Sequence, residues 1–205
     1  KGLEALREGK CELAGFNFPK SSTNNSKAFG TFGHLLTKNN GLIFFATRLQ
    51  GLAFAPGNPK KIYSILDIAS RKAKFINRRE GTGTRILFDQ MLDVLAVKPE
   101  EIEGYNDISD TQFFTAVQIA SGKVDVGLCT ANVAKENGLD FIPLAKEVYY
   151  LAADEKFLET AKAKKFIQFL RSYDWAEFKD QLEGYDFTGT GEVFKVSDVF
   201  TADAS

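Results

Sequence analysis

One stretch of the chain decides the fold: Asn77-Arg78-Arg79-Glu80-Gly81-Thr82-Gly83-Thr84-Arg85. The apolar run 73–76 precedes it, and apolar residues at helical spacing follow from Ile86 to Leu92. This order predicts a strand, a tight glycine turn and then the first turn of a helix. The N–H groups of a first helical turn have no partner within the helix and carry partial positive charge, so they can hold an anion.

The residues of this turn suit two different interpretations. Gly81 and Gly83 would let the backbone come close to a ligand. The hydroxyl groups of Thr82 and Thr84 are neutral donors, and Arg85 adds a full charge. A threonine that only caps an ordinary surface helix would need the same residue types. On these residues alone, anion binding and simple capping both stay open.

The composition excludes several classes of protein. The 205 residues contain 26 Lys and Arg against 27 Asp and Glu, and this balance argues against a surface built for nucleic acid or acidic membranes. No apolar run approaches the roughly 20 residues that span a bilayer, so no membrane span is expected. The sequence shows no pattern of a secretory signal, so none is expected, although the abrupt start at Lys1-Gly2-Leu3 suggests a processed or cut fragment.

The chemistry-bearing residues do not indicate catalysis, a cofactor or a metal site. Cys11 and Cys129 are far apart in sequence and show no metal spacing, so we expect buried free thiols. The single histidine, His34, is expected to be structural or exposed. The turn at 81–85 lacks the Lys-Ser/Thr pair of a phosphate-binding P-loop. We therefore predict that the protein is not an enzyme and has no catalytic residues.

Strands and helices alternate along the chain. The predicted strands are 11–18, 42–46, 52–55, 73–76, 102–105, 124–129, 139–144 and 148–153. Helices are predicted near 1–8, 31–37, 62–69, 83–92, 110–122, 131–136, 157–170 and 174–182, with Ser64 or Asp67 capping the third, and Asp110 or Ser109 the fifth. This alternation predicts an α/β protein with parallel sheets, and the proline-marked segments near 56–61 and 143–149 suggest two crossings between two lobes.

Several short motifs follow one another in an order found in a known family. They are Arg48-Leu49-Gln50-Gly51-Leu52, Asn58-Pro59, the stretch 77–85, Gly104-Tyr105, Val124-Asp125-Val126-Gly127-Leu128 and Gly138-Leu139-Asp140-Phe141-Ile142-Pro143-Leu144. Together they resemble the periplasmic-binding-protein-like (type II) domain that is attached to helix-turn-helix regulators and to molybdopterin biosynthesis proteins. The series is similar, more distantly, to molybdate- and tungstate-binding proteins. The resemblance extends from Gly2 to about Gly184.

The resemblance implies a two-lobed α/β fold of the type II periplasmic-binding-protein-like kind, with parallel-rich sheets and two hinge crossings. Lobe one would comprise 1–58 and 149–205, without the family's first strand, and lobe two would be the inserted segment 59–148. The implied function is a non-catalytic binding or sensor domain that closes on a small oxyanion, with molybdate or tungstate expected. A fused helix-turn-helix or molybdopterin-biosynthesis domain is an implied partner.

The resemblance also implies which residues contact the ligand. The polar loop 21–26 supports the contacts on lobe one, because it follows a predicted strand and ligands gather at the carboxyl ends of strands in α/β sheets. On lobe two they are Thr82, Gly83, Thr84, Arg85 and Thr130, and on lobe one they are Asn17, Ser21, Ser22 and Tyr149.

Two further alternatives concern the ligand. Fully ionised dianions suit a site of neutral donors, whereas phosphate keeps a proton near neutral pH and needs an acceptor, which Glu80 or Asp125 could offer. A small organic acid is the alternative ligand, with Arg48 or Arg85 clamping its carboxylate and Phe113 or Tyr149 lining the pocket. We expect a cytoplasmic location, or a periplasmic one if a signal peptide was removed; the sequence predicts no oligomeric state.

Overall fold

The structure, a computed structural model, describes residues 2–20, 32–178 and 180–200. By their internal contacts the residues divide into two units. The first unit comprises Lys1–Arg48, Glu147–Lys179 and Tyr185–Ser205, and the second comprises Leu49–Lys146 and Asp180–Gly184. The chain changes unit after Arg48 and after Lys146, within two long strands, and again on either side of the short segment Asp180–Gly184.

The secondary structure alternates as an α/β chain does. The strands are β1 (Leu13–Pro19), β2 (Asn40–Phe54), β3 (Phe75–Arg78), β4 (Ile108–Ser109), β5 (Val126–Thr130), β6 (Asp140–Asp154), β7 (Tyr185–Asp186) and β8 (Val193–Lys195). The helices are α1 (Gly2–Arg7), α2 (Ile65–Ser70), α3 (Gly83–Val94), α4 (Gln112–Ala120), α5 (Ala131–Glu136), α6 (Glu155–Leu158), α7 (Ala161–Ser172) and α8 (Val196–Val199), with short 3-10 helices at Gly33–Leu35, Pro99–Glu101 and Trp175–Phe178. None of these described helices has the length and hydropathy needed to cross a bilayer.

The first unit is built on antiparallel pairs. Strand β1 pairs with residues 147–153 of β6, and the beginning of β2 pairs with β8 and β7. Alternate residues of β1 are buried, and Phe16 and Phe18 pack with Leu3, Leu6 and Tyr150 in one apolar cluster. This alternation gives β1 one core face and one less buried face.

The second unit contains the parallel pairs that the sequence predicts. Strand β3 runs parallel to β4 and to β5, whereas β5 runs antiparallel to the end of β2. All five residues of β5 and all four residues of β3 are buried, as expected for strands covered on both faces. Parallel pairing is therefore confined to three strands of this unit, and the other registers described above are antiparallel.

Two predicted strand breaks are wrong. The predicted strands 42–46 and 52–55 are one strand of 15 residues, β2, and 139–144 and 148–153 are likewise one strand, β6. Gly51 does not end a strand: a Cβ there would lie 2.7 Å from Phe141 Cζ and closer still to Ile142 O. Pro143 lies outside the part of β6, residues 147–153, that pairs with β1. Its missing N–H group therefore costs no hydrogen bond to β1.

Replacing Gly51 by alanine is expected to destabilise the protein by about 1–3 kcal/mol, because the new methyl group would force the chain of β6 away from β2. Urea denaturation measures this loss. Gly2 is the matched control, since a Cβ there meets no atom closer than 3.6 Å. Equal stability of the Gly51→Ala and Gly2→Ala variants would contradict the steric explanation.

The remaining local predictions have mixed outcomes. Ser64 caps α2 as predicted, but the cap of α4 is Thr111 and not Asp110 or Ser109. The predicted strand 102–105 is instead a turn that follows the 3-10 helix at Pro99–Glu101. Gly104 there adopts φ 85°, which is not a strand conformation, and a Cβ at this position would collide with the carbonyl oxygen of Phe75. Near 174–182 only a 3-10 helix, Trp175–Phe178, forms among the described residues.

Candidate functional site

The turn between β3 and α3 leaves two backbone donors unused. Gly81 adopts φ 78°, and Thr82 then caps α3, accepting a hydrogen bond from Arg85 N at 3.3 Å and donating one to Arg79 O at 2.8 Å. The N–H groups of Gly83 and Thr84 have no acceptor within the described part of the chain. Thr82 therefore does cap the helix, as in the alternative that the sequence left open, and the cap still leaves these two N–H groups available to an anion.

A buried polar network connects this helix start with β2, α4 and β5. Thr84 Oγ accepts hydrogen bonds from Gln50 Nε2 at 2.9 Å and from Gln112 Nε2 at 3.3 Å. Gln112 Oε1 in turn accepts from Thr130 N at 3.0 Å and from Thr130 Oγ at 2.9 Å. Thr130 ends β5, at the same edge as the end of β3, because the two strands are parallel. The network thus lies at the carboxyl edge of the parallel strands, where α/β proteins place ligands.

Two members of this region are buried with unused polar atoms. Arg78, the last residue of β3, is 9% exposed, and its Nη1 donates to Ser109 O at 2.9 Å. Its Nε has no acceptor, and no carboxylate of the described residues lies within 4 Å of its guanidinium. Gln50 is fully buried, and its Oε1 has no donor. A buried donor and a buried acceptor without partners are costly, so they indicate a missing partner.

The guanidinium of Arg78 is in an unfavourable environment for a charge. Burial lowers the pKa of Arg78; the positive charge of Arg79 lowers it further, and Asp110 only partly offsets this. Asp110 itself is ion-paired with Arg79. An anion bound at Arg78 would supply the compensating charge that the described residues do not.

The side chain of Arg85, a predicted ligand contact, already has partners within the second unit. Its Nε lies 2.9 Å from both carboxylate oxygens of Asp89, and its guanidinium lies 4.3 Å from the centre of the Tyr105 ring. Burial lowers the pKa of Arg85, but hydrogen bonds to Tyr105 and Asp89 outweigh it, and the net pKa is raised. Contact between Arg85 and a ligand stays a prediction.

The first-unit residues of the predicted site fall into two groups. Asn17 and Tyr149 are half-buried and face each other as partners in the β1–β6 pair. Ser21 and Ser22 lie outside the described residues. The contribution of these four residues to ligand binding therefore stays a prediction.

The residues invoked for the alternative ligands are mostly engaged elsewhere. Arg48 Nε lies 2.8 Å from Glu147 Oε2, so its guanidinium already has a carboxylate. Asp125 accepts from Lys74 N at 2.8 Å and lies just before β5, at the opposite end from Thr130. Glu80 is exposed. Phe113 is 60% exposed on α4.

The cysteines and the histidine have no evident site chemistry. Cys129 is buried, and burial raises the pKa of its thiol to about 12, so the thiol stays protonated. Cys11 is a half-buried free thiol, and His34 is exposed. Among the described residues, no three His, Cys, Asp or Glu side chains come together as a metal site would require.

Sequence reasoning missed Arg78, Gln50 and Gln112. Arg78 stands in a run of three charged residues and has the sequence pattern of a surface loop. The signal that could have identified it is its position: it directly follows a buried apolar strand and precedes the glycine turn, as residues at a strand's carboxyl end do. Gln50 and Gln112 have no local signal, because their partners are distant in sequence.

Residues 1–171 match the model of a family described as the PBP superfamily domain. The chain is 32% identical over 188 residues to the uncharacterized protein YvgK of Bacillus subtilis (strain 168). This match takes in 92% of the present chain but 60% of the relative, so the chain spans about three fifths of that protein's length.

Solved structures with bound tetrahedral anions have a similar fold. One is a proposed phosphate ABC transporter substrate-binding protein from Clostridium perfringens with bound phosphate, at TM-score 0.61 and 18% identity, covering 95% of this chain and 83% of that one. Another is PhnD1 from Prochlorococcus marinus in complex with methylphosphonate, at TM-score 0.59 and 15% identity, covering 95% and 76%. At these identities the likeness concerns the fold.

Proposed function

Because the chain belongs to the PBP superfamily, we propose that its second unit binds a small tetrahedral oxyanion at the start of α3, with molybdate and tungstate as the first candidates. The predicted α/β fold of the type II periplasmic-binding-protein-like kind is confirmed by the family match and the structural likenesses. The observation that carries the proposal is Arg78, a buried cation with an unused Nε, at the end of the strand that leads into a helix start with two unused N–H groups.

The donors fit a small dianion without a proton. Gly83 and Thr84 offer backbone N–H groups, and Arg78 offers a charge-assisted N–H, so the negative charge of the ligand would be spread over several donors. Neither carboxylate that the sequence suggests as a proton acceptor is well placed, since Asp125 lies at the other end of β5 and Glu80 is exposed. A dianion that is fully ionised needs no such acceptor.

The proposed role is binding or sensing without catalysis. YvgK is longer than the region that matches this chain, and an attached domain of the helix-turn-helix or molybdopterin-biosynthesis kind would be the part that responds to the bound anion. Such a response is limited by how much more tightly the ligand binds one conformation than the other.

Adding molybdate or tungstate to the purified full-length protein is expected to raise its Tm. A ligand at about a hundred times its Kd stabilises the folded state by about 2.7 kcal/mol, which corresponds to roughly 5–11 °C for a protein of this size. Differential scanning fluorimetry with molybdate, tungstate, sulfate, phosphate and succinate measures the shift.

The same experiment separates the alternatives. No shift with any of the four oxyanions at millimolar concentration would contradict the proposal. A shift with succinate alone would favour the organic-acid sensor. Arg85 would then be the first arginine to test, because its partner Asp89 is 39% exposed, whereas Glu147, the partner of Arg48, is fully buried.

A further inference from the structure

A second concave region, which we call the α7 groove, is lined by residues of the first unit alone, whereas α3 belongs to the second unit. Its walls come from α6, α7 and β8, with contributions from the beginnings of β2 and α8. Its cavity volume is about 930 Å³. Small-molecule sites typically enclose about 300–1,000 Å³, so the α7 groove is large enough for a small organic ligand.

The apolar lining of the α7 groove is incompletely covered. Leu158, Ile167 and Phe194 are half-buried, and Val193 is 42% exposed. Leu158 packs directly against the backbone of β2, because a Cβ on Gly41 would collide with Leu158 Cδ1. These side chains therefore form an apolar floor that rests on the sheet, and removing such a surface from water is favourable.

The rim of the α7 groove carries more positive than negative charge. The cations are Lys156, Lys164, Arg171 and Lys195. The carboxylates are Glu155, Glu159 and Asp198. An anionic ligand would therefore meet a rim of complementary net charge.

Two of the three carboxylates already have partners. Glu159 is ion-paired with Lys164 at 2.9 Å, and Asp198 Oδ2 accepts from Lys195 N at 3.1 Å. In the part of the chain that the structure describes, no carboxylate lies within 4 Å of the side-chain nitrogens of Lys156, Lys195 or Arg171. These cations can therefore pair with an anionic group of a ligand without breaking an internal ion pair.

Arg171 is the cation whose position is best defined. Its Nε donates to Gly191 O at 3.0 Å, and its hydrocarbon stem lies on Gly191, where a Cβ would be 2.6 Å from Arg171 Cγ. Among the described residues, neither of its terminal nitrogens, Nη1 and Nη2, has an acceptor. A guanidinium held in this way can bind a carboxylate through two parallel N–H groups.

We propose that the α7 groove is a second ligand site, which binds an organic anion with an apolar body, such as a medium-chain carboxylate. Arg171 binds the carboxylate, and the apolar floor binds the hydrocarbon chain. An inorganic oxyanion would leave the floor in water, and an organic cation would meet like charge at the rim. The inference goes beyond the proposed function and does not depend on it, since all the lining residues lie outside the unit that contains α3.

The test titrates the purified full-length protein with octanoate, acetate and octylammonium by isothermal titration calorimetry at about pH 7, where the carboxylates are ionised and the amine is protonated. Acetate has the carboxylate without the chain, and octylammonium has the chain with the opposite charge. We expect octanoate to bind at least about tenfold more tightly than either. No octanoate binding at millimolar concentration, or equal binding of octanoate and octylammonium, would overturn the inference.

Arg171→Gln is expected to weaken octanoate binding about tenfold or more, the usual effect of losing a hydrogen bond to a charged group. Lys165→Gln is the matched control, because it removes the same charge from an exposed position of the same helix that does not line the α7 groove. Its affinity for octanoate should stay within about twofold of the wild type, since a distant exposed charge is largely screened. Equal losses in the two variants would show that Arg171 is not the carboxylate ligand.

A second pair of variants tests the apolar floor without endangering the fold. Val193→Thr keeps the branched shape of a largely accessible side chain and replaces one methyl group by a hydroxyl. It should weaken octanoate binding about fourfold, the contribution of about one buried methyl group. Val94→Thr, at a position that is 83% exposed at the end of α3, should leave the affinity unchanged. An unchanged affinity in Val193→Thr would contradict the proposed floor.

Arg78→Met separates this site from the one at the start of α3. Octanoate binding should be unchanged in Arg78→Met, and molybdate or tungstate binding should be unchanged in Arg171→Gln, because the two arginines belong to different units. If octanoate binding were lost in Arg78→Met and retained in Arg171→Gln, the α7 groove would not be its site and the inference would be wrong. A protein that binds octanoate in the predicted way but none of the oxyanions would retain this inference and lose the proposed function.

Discussion

The Arg78→Met variant is expected to bind molybdate, tungstate or sulfate at least about a hundredfold more weakly than the wild type. Truncating one partner of a buried charge-assisted contact typically costs about 2–5 kcal/mol, and about 2.8 kcal/mol corresponds to a hundredfold change in Kd. Methionine keeps an unbranched stem of similar length but has neither the charge nor the N–H groups. Calorimetric titration of both proteins under the same conditions measures the loss.

The same substitution should leave the free protein at least as stable as the wild type. In the unliganded protein Arg78 is buried, its pKa is lowered by that burial, and its Nε has no acceptor. Removing an uncompensated buried charge takes away its desolvation cost, although the hydrogen bond to Ser109 O is also lost. Weaker binding with an unchanged or higher Tm is therefore the signature of a ligand-binding arginine.

Arg79→Met is the control for Arg78. Arg79 is adjacent in sequence and carries the same charge, but its side chain is 63% exposed and is ion-paired with Asp110. Its replacement should change binding only a few-fold, through the loss of a screened surface charge. Equal losses of affinity in the two variants would show that only the general positive charge of the turn matters, and a large fall in the Tm of Arg78→Met would indicate a structural arginine.

The contrast between these two arginines shows what the sequence could and could not predict. Local rules predicted the strand, the glycine turn and the helix start, because Gly81, Thr82 and the apolar spacing after Arg85 depend on nearby residues only. They predicted the strand to end at 76, but β3 continues to Arg78. The burial of Arg78 depends on pairing with β4 some thirty residues later, and no pattern within the stretch reports it.

Long-range pairing also explains the other misses. Gln50 stands beside Gly51, and glycine within a strand pattern suggests a break when only neighbours are considered. Gly51 is instead required by the close approach of Phe141 and Ile142, about ninety residues away in sequence. The direction of the Gln112 hydrogen bonds likewise depends on Thr130 and Thr84, on two other elements. The sequence alone suggested Thr82, Thr84 and Thr130 as ligand contacts, but only the tertiary structure shows which of their atoms have no partner.

The second large expected effect concerns stability and lies in the first unit. Replacing Glu147 by leucine is expected to destabilise the protein by about 3–5 kcal/mol, the usual cost of leaving one charge of a buried pair alone. The side chain of Glu147 is fully buried and that of Arg48 is 14% exposed. Burial lowers the pKa of Arg48, but Glu147 and Tyr185 together more than compensate, so the net pKa is raised. Arginine stays charged at every accessible pH, so in the variant Arg48 cannot avoid the cost of an unpaired buried charge by losing a proton.

A double variant distinguishes the lost charge pair from lost packing. In Arg48→Met with Glu147→Leu, two apolar side chains of similar size replace the pair, and such replacements are often neutral or stabilising. We therefore expect the double variant to recover most of the stability that Glu147→Leu loses, which in thermal melts means most of a deficit of roughly 6–20 °C. The recovery should be partial, because Tyr185 OH, which lies 3.3 Å from Arg48 Nη1, loses its partner. If the double variant were as unstable as Glu147→Leu, the uncompensated charge of Arg48 would not be the cause, and the loss would have to be assigned to the buried space that the Glu147 side chain fills.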